Sequence, residues 1–189
     1  MNSGEWSVEP VMDKSGQLKH MQLRKSTADE KDLMTKFLKS RASSEFIGKK
    51  APSFSMTDIN GKTISSESLL GKVVVLNFWF VTCQPCIEEI PDLNEVYKKY
   101  KNNPDVVFAS ITFNEKEKVS KFLKKHPLDY PVISDARNIC NEFSVNSYPT
   151  NMVIDKEGNF YDLISGGFPN ISDHISSKID GALNKSQKK

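Results

Sequence analysis

The run from Val73 to Val81 (VVVLNFWFV) constrains the fold more strongly than any other segment of the chain. It is almost unbroken in apolar residues and rich in β-branched and aromatic side chains, which favours a strand covered on both faces over a helix. Apolar residues then recur every three or four positions from Gln84 to Lys101, which predicts an amphipathic helix. A buried strand that leads directly into a helix indicates an α/β protein with parallel strands.

Strands and helices alternate along the remainder of the chain. Further strands are predicted at 53–58, 63–65, 106–113 and 131–134, and a hairpin at 151–155 and 159–164. Further helices are predicted at 115–126, 136–143 and 172–183. Because the last hairpin adds antiparallel strands, we expect a three-layer α/β/α fold with a mixed central sheet.

The first 46 residues follow a different pattern from the rest of the chain. We expect residues 1–46 to form an N-terminal extension and residues 47–189 to form the main domain. A hairpin is predicted around a turn at Asp13–Gly16, and a helix over 27–42. Thr27 and Glu30 have the spacing of a capping box at the start of that helix.

The composition is that of an ordinary globular protein and excludes several classes. The 26 basic residues nearly balance the 24 acidic ones, so bulk charge gives no reason to expect a nucleic-acid partner. No apolar run is long enough for a transmembrane helix. The first ten residues lack the basic and apolar regions of a secretory signal. The chain is either cytosolic or the mature part of an exported protein, and the sequence alone leaves both open.

Cys83-Gln84-Pro85-Cys86 is the strongest candidate for chemistry, because it joins the buried strand to the amphipathic helix. Free backbone N–H groups and the dipole at a helix N-terminus stabilise a thiolate, so we expect the pKa of Cys83 to be lowered. Cys86 lies three residues later and can reach Cys83 to release a mixed disulfide. Pro85 is tolerated in the first turn and stiffens the loop.

Two other interpretations of this pair remain open. The cysteines could be simply buried, or form a structural disulfide. A zinc site is disfavoured, because His20, His126 and His174 are isolated in the sequence and no second CxxC exists. Redox chemistry is the preferred interpretation.

Several short segments occur in the same order and spacing as in a known family. They are IGKKAPSF at 47–54, DINGK at 58–62, LLGKVVVLNFW at 69–79, CQPCIEEIP at 83–91, YPT at 148–150 and VIDKEG at 153–158. On these segments the chain resembles the thioredoxin superfamily, and within it the TlpA/ResA-like thiol–disulfide oxidoreductases, which have a redoxin or AhpC/TSA-like domain. The resemblance covers about Ile47 to Leu183.

The resemblance implies roles for individual residues. Cys83 is then the attacking cysteine, Cys86 the resolving cysteine, and Pro149 a cis-proline that offers backbone groups to an extended substrate. Gln84, Pro85, Thr82 and Tyr148 are the supporting residues that surround them. Glu89 either assists proton transfer near Cys86 or, as is more usual for such a residue, is a solvated charge on the helix face.

The chain departs from this family pattern at Thr82, at Asn77 and in the first 46 residues, which lie outside the matched region. Thr82 occupies the position where many relatives have a tryptophan before the first cysteine. Asn77 occupies the position of a buried aspartate in cytosolic thioredoxins, and because Asn does not titrate, any buried proton acceptor must be another group. Cys140, the third cysteine, is interpreted as a small buried hydrophobic residue.

The implied function is dithiol–disulfide exchange with protein thiols and disulfides, without a cofactor, and with an upstream redox partner protein. The direction is expected to be reducing, on targets such as apo-cytochromes, in an extracytoplasmic location with a signal or membrane anchor lost. A copper-binding metallochaperone and a peroxiredoxin-type peroxidase are the alternatives. The peroxidase motif needs Pro and Thr where this chain has Leu76 and Phe80, which argues against it.

Overall fold

The structure, a computed structural model, describes residues 6–30 and 45–185. The described residues fall into two compact units, one within Met1–Arg41 and the other within Ala42–Lys189. The domain boundary at residue 46 that the sequence suggests stays a prediction.

The first unit is built on a two-stranded antiparallel hairpin of β1 (Trp6–Met12) and β2 (Leu18–Lys25), as predicted. Both reciprocal hydrogen bonds of the capping box are also present. The Glu30 N–H donates to Thr27 Oγ1 at 3.3 Å, and the Thr27 N–H donates to Glu30 Oε2 at 2.9 Å. The predicted helix begins at this cap, but its length beyond residue 30 lies outside the described residues.

The second unit contains a five-stranded mixed sheet in the order β7-β6-β5-β8-β9. Its strands are β5 (Val73–Trp79), β6 (Val106–Thr112), β7 (Val132–Ile133), β8 (Thr150–Ile154) and β9 (Phe160–Ser165). The pairs β5–β6 and β6–β7 are parallel, whereas β8 is antiparallel to β5 and to β9. A separate small hairpin joins β3 (Ser55–Thr57) to β4 (Thr63–Ser65). The mixed central sheet is confirmed.

Four helices are described in this unit: α1 (Gln84–Tyr100), α2 (Lys116–Leu123), α3 (Arg137–Glu142) and α4 (Ile171–Asn184). All seven residues of β5 are buried, and their side chains alternate between two cores. Leu76 and Phe78 pack with Phe143, just after α3, on one face. Val73 and Val75 belong with apolar residues of α1 and α4 to the core on the other face. Helices therefore cover both faces of β5, which explains why its sequence is almost wholly apolar.

One buried amide holds α1 to the chain segment that leads into β7. Asn94 donates from Nδ2 to the Pro127 carbonyl oxygen at 2.9 Å and accepts the Asp129 N–H at its Oδ1 at 3.0 Å. The helix continues through Pro91 to Tyr100, so the buried amide lies in its middle. A side chain that satisfies two backbone groups at once fixes the position of the helix that begins at Gln84, directly after Cys83.

Replacing Asn94 with alanine tests this attachment. Asn94→Ala leaves the Pro127 carbonyl and the Asp129 N–H without their partner, so the free energy of unfolding should fall by about 2 kcal/mol. Chemical denaturation of the oxidised protein measures the change. The matched control Asn138→Ala, at an exposed position of α3, should change stability by less than about 0.5 kcal/mol. Equal stabilities of the two variants would contradict the assignment.

Candidate active site

The two cysteines of the CQPC segment form a disulfide at the start of α1. Cys83 is the N-cap residue of the helix, and Cys86 lies in the first turn. Their Cα atoms are 5.2 Å apart, and the Cys86 N–H lies 3.3 Å from Cys83 Sγ. The backbone of the first turn is therefore directed at the sulfur of Cys83, which is the arrangement that stabilises a thiolate in the reduced protein.

The segment between β5 and the disulfide is fixed by hydrogen bonds to neighbouring strands. The indole N–H of Trp79 donates to Ser110 Oγ on β6. The Val81 N–H donates to Asn114 Oδ1 at 2.9 Å, just beyond the end of β6. The Cys83 N–H closes a turn onto the Phe80 carbonyl oxygen at 3.0 Å. The strand ends two residues earlier than the apolar run because the Val81 N–H bonds to a side chain instead of a strand partner.

The disulfide lies in an apolar environment with an exposed rim. Cys83 and Cys86 are only 4% and 3% exposed, and they pack in one cluster with Trp79. Thr82, Gln84 and Pro85, which the sequence assigned as supporting residues, are all exposed. The Gln84 amide donates to Glu88 Oε1 at 3.0 Å.

The Tyr148–Pro149 peptide bond is cis, as expected. Tyr148 is half-buried and packs against the cluster that contains the disulfide, whereas Pro149 is buried. The Gly166 N–H donates to the Pro149 carbonyl oxygen at 2.7 Å, so this carbonyl is already bonded within the sheet. The role of Pro149 in substrate binding stays a prediction.

Glu89 is buried, so the interpretation of this residue as a solvated charge on the helix face is wrong. Its side chain is 5% exposed. Asn151 Nδ2 donates to Oε2 at 2.9 Å, and the Phe168 N–H donates to Oε1 at 3.2 Å. Burial raises the pKa of Glu89 to about 7, although both hydrogen bonds act to lower it.

The sequence did not reveal the partners that hold Glu89. Asn77 on β5 donates from Nδ2 to Asn151 Oδ1 at 2.9 Å, and Asn151 in turn donates to Glu89. The two asparagines are directly opposite each other in the antiparallel β5–β8 pair. The one signal in the sequence was Asn77 itself, because a polar side chain in a buried strand requires a partner. Asn77 cannot titrate, so the buried titratable group that is connected to it, through Asn151, is Glu89.

Glu89 and Cys86 are three residues apart on α1, and both are buried. Residues at this spacing are neighbours on one helix face, with about 5–6 Å between their Cβ atoms. A carboxyl group with a pKa of about 7 exchanges protons readily near neutral pH. The arrangement can therefore accept or return the proton of a thiol in the first turn of the helix.

Cys140 is free and buried, at 1% exposure, as its interpretation as a small hydrophobic residue predicts. Burial raises the pKa of its thiol, while a hydrogen bond with Tyr148 acts in the opposite direction. Burial also raises the pKa of Tyr148, and the bond to Cys140 adds to that rise. A thiol with a raised pKa is a poor nucleophile, so the reactive pair is Cys83 and Cys86.

Two features are absent from the described part of the chain. No group of three or more His, Cys, Asp or Glu side chains is arranged to hold a metal ion among residues 6–30 and 45–185. Among the same residues, no helix has the length and apolar character needed to cross a membrane.

Comparison with known proteins agrees with this geometry. The model of the AhpC/TSA family matches residues 47–162. The thiol–disulfide oxidoreductase ResA of Bacillus cereus (strain ZK / E33L) is 37% identical over 140 residues, which is 74% of this chain and 78% of that protein. The chain belongs to the ResA-like thiol–disulfide oxidoreductases. It therefore shares their class of activity. ResA of Bacillus subtilis (strain 168) is also similar, with 34% identity over 120 residues, which is 63% of this chain and 67% of that protein.

A solved structure supports the fold of this ResA-like chain. A thiol:disulfide interchange protein of the thioredoxin family from Chlorobium tepidum TLS superposes with a TM-score of 0.62 at 30% identity. The match covers 71% of this chain and 96% of that one. The thioredoxin-like fold and the oxidoreductase class expected from the sequence are confirmed.

The raised pKa of Glu89 predicts a pH dependence of stability. The folded value of about 7 exceeds the ordinary 4.5, so the folded protein binds more protons in that interval. The contribution of Glu89 to stability should be complete below pH 4.5 and decrease by up to about 3 kcal/mol as the pH rises through 7. Urea denaturation of the oxidised protein at a series of pH values measures this decrease.

Two variants isolate the contribution of Glu89. Glu89→Gln removes the titrating group, so its stability curve should lack the decrease. Glu88→Gln, at the exposed neighbouring position, should retain it. Parallel curves for Glu89→Gln and the unmodified protein would show that another group is responsible.

Proposed function

We propose that this protein reduces disulfides of protein substrates, with Cys83 as the attacking group, Cys86 as the resolving group and Glu89 as their proton carrier. The observation that carries the proposal is the buried Glu89 carboxyl one helical turn beyond a cysteine pair at a helix N-terminus. The 37% identity to a ResA over most of the chain supports the same chemistry.

The proposed reaction proceeds by two exchanges. The Cys83 thiolate attacks one sulfur of the substrate disulfide, which forms a mixed disulfide and releases the other substrate sulfur as a thiolate. The Cys86 thiolate then attacks Cys83 Sγ, which releases the second substrate thiolate. Two electrons pass to the substrate, and the protein is left with the Cys83–Cys86 disulfide. An upstream dithiol protein must return it to the reduced state.

The proposed role of Glu89 follows from its protonation near neutral pH. Cys86 must lose a proton before it can attack, and it lies in an apolar cluster where a thiolate is poorly solvated. Glu89 accepts that proton as Cys86 reacts, and its hydrogen bonds from Asn151 and Phe168 stabilise the ionised carboxyl.

The reducing direction is supported by the environment of the sulfur atoms. Strong oxidants of this class, such as DsbA, have a stabilised reduced form, and their potential is near −120 mV, whereas that of thioredoxin is near −270 mV. The helix N-terminus stabilises a thiolate at Cys83, but burial of Cys86 and an ionisable carboxyl three residues away disfavour a second thiolate. The reduced form is then less stable relative to the disulfide, which corresponds to a low potential.

The proposal extends to location and partners. An extracytoplasmic site of action, attachment to a membrane and a substrate such as an apo-cytochrome with a cysteine pair are what the resemblance to ResA-like proteins supports. Protein substrates fit the exposed rim of Thr82, Gln84 and Pro85, over which a polypeptide can lie. Fractionation of cells that express the tagged full-length protein tests the location.

The two alternative functions have less support. In the peroxidase motif, Leu76 and Phe80 stand in place of the required Pro and Thr, and Leu76 is fully buried in the core. A copper-binding function requires a histidine near the pair, and the residues that the structure describes contain no group of three or more His, Cys, Asp or Glu side chains arranged to hold a metal ion. Neither is favoured by the relatives.

The reduction potential tests the proposed direction. Equilibration with glutathione buffers, followed by thiol labelling, should give a potential closer to the −270 mV of thioredoxin than to the −120 mV of DsbA. A value near −120 mV would mean that the protein installs disulfides instead. The absence of any reversible couple would overturn the oxidoreductase assignment of the pair.

Serine variants test the division of roles. Cys86→Ser should accumulate a mixed disulfide with a substrate, because Cys83 still attacks and nothing resolves the product. Cys83→Ser should form little mixed disulfide. Non-reducing electrophoresis after reaction with a protein disulfide measures both. Trapping by Cys83→Ser in preference to Cys86→Ser would reverse the assigned order.

A further inference from the structure

Three aromatic rings beside the disulfide form a triangle. The ring centroids are 5.6 Å apart for Phe80 and Phe113, 5.4 Å for Phe80 and Tyr148, and 5.6 Å for Phe113 and Tyr148. All three side chains are half-buried, so part of each ring is accessible. We call Phe80, Phe113 and Tyr148 the aromatic triangle.

The aromatic triangle adjoins the reactive pair. Phe80 and Tyr148 pack against the same cluster that contains Cys83 and Cys86. Phe80 lies three residues before Cys83, and the turn between them is closed by a hydrogen bond. Thr82, the exposed residue before Cys83, is small and offers little flat surface. The triangle therefore offers apolar surface to a substrate at this side of the pair.

The guanidinium of Arg137 lies on one ring of the aromatic triangle. The guanidinium carbon of Arg137 is 3.7 Å from the centroid of the Phe113 ring, which is the distance of a stacked cation–π contact. Arg137 is exposed and is the only arginine after residue 41. Within residues 45–185, as the structure describes them, it takes part in no ion pair or side-chain hydrogen bond.

This arrangement prepares the guanidinium for a carboxylate. Stacking uses the face of the guanidinium, whereas its N–H donors lie at the edge and match the two oxygens of a carboxylate. Stacking also restricts the side chain, so less rotamer freedom is lost when a ligand is bound. A positive charge next to an apolar surface is complementary to a peptide that carries an acidic and an aromatic side chain.

We propose that Arg137 and the aromatic triangle form a docking surface that selects substrate segments with an acidic residue close to the reacting cysteine. An apolar or aromatic side chain of the same segment packs on the triangle while its carboxylate pairs with Arg137. This inference rests on the proposed function, because it concerns which disulfides the Cys83 thiolate attacks.

Three synthetic peptide disulfides provide the probes. Each is the symmetric disulfide of a pentapeptide, Gly-Xaa-Cys-Phe-Gly, in which Xaa is Asp, Gln or Lys. Stopped-flow measurement gives the rate constant for oxidation of the reduced protein by each one. Because Xaa also changes the reactivity of the peptide sulfur, each rate constant is divided by that of dithiothreitol with the same peptide.

Three variants then test the contribution of Arg137. The unmodified protein should favour the Asp peptide over the Lys peptide by about threefold to fivefold, as expected for an exposed ion pair. Arg137→Gln should reduce the ratio to about 1, and Arg137→Lys should give an intermediate ratio because charge is kept without stacking. Lys101→Gln should keep the Asp-to-Lys peptide ratio of the unmodified protein, since Lys101 lies at the far end of α1, about 25 Å along the helix.

Measurements at high salt and with the neutral Gln peptide distinguish a failure of the docking inference from a failure of the proposed function. The preference should weaken at high salt, because exposed charges are screened. If Arg137→Gln kept the ratio of the unmodified protein while the Gln peptide reacted normally, the docking inference would be wrong and the proposed function would stand. If no peptide, including the Gln peptide, oxidised the reduced protein, the proposed function itself would fail.

Discussion

The hydrogen bond from Asn151 to the buried carboxyl of Glu89 is the interaction on which the site depends. It joins the helix that begins at the cysteine pair to the strand that follows the cis peptide bond at Pro149. The second oxygen of the carboxyl accepts the N–H of Phe168, in the loop before the last helix. Three segments distant in sequence thus meet at one titratable group. Because an ionised carboxyl is costly to bury, its protonation is coupled to the positions of all three.

In this site, orientation by a hydrogen bond and titration are provided by different residues, whereas a single buried acid could provide both. Asn77 lies on the central strand and cannot titrate, but it orients Asn151 by a hydrogen bond. Asn151 can then present its Nδ2 to Glu89 and cannot easily rotate away. In the proposed mechanism the strand provides the orientation and the helix provides the proton acceptor. A carboxyl on the helix is also at a fixed spacing from Cys86, whereas one on the strand would depend on how helix and sheet pack.

The sequence predicted the fold well because its strongest signals are local. The apolar run over Val73–Trp79, the periodicity of the helix after it and the turn residues of the hairpins depend on near neighbours only. The cysteine pair was also evident, since it lies between two such elements. Of the two interpretations of Glu89, the more usual one, a solvated charge, is wrong, because the residue lies three positions after Cys86 and four before Leu93, both on the buried face. Its partners Asn151 and Phe168 come from strand pairing and a distant loop, which local patterns do not reveal.

The two cysteines have opposite electrostatic environments although they are only one turn apart. Cys83 is the N-cap residue, and the backbone N–H of Cys86 points to its sulfur, so a thiolate there is favoured. Cys86 lies within the helix, three residues before Glu89, whose ionised form would disfavour a second negative charge. In the proposed mechanism the thiolate of Cys83 forms first, and that of Cys86 forms only as its proton is transferred. This order suits disulfide exchange, because Cys86 has a disulfide bond to attack only after Cys83 has formed the mixed disulfide with the substrate.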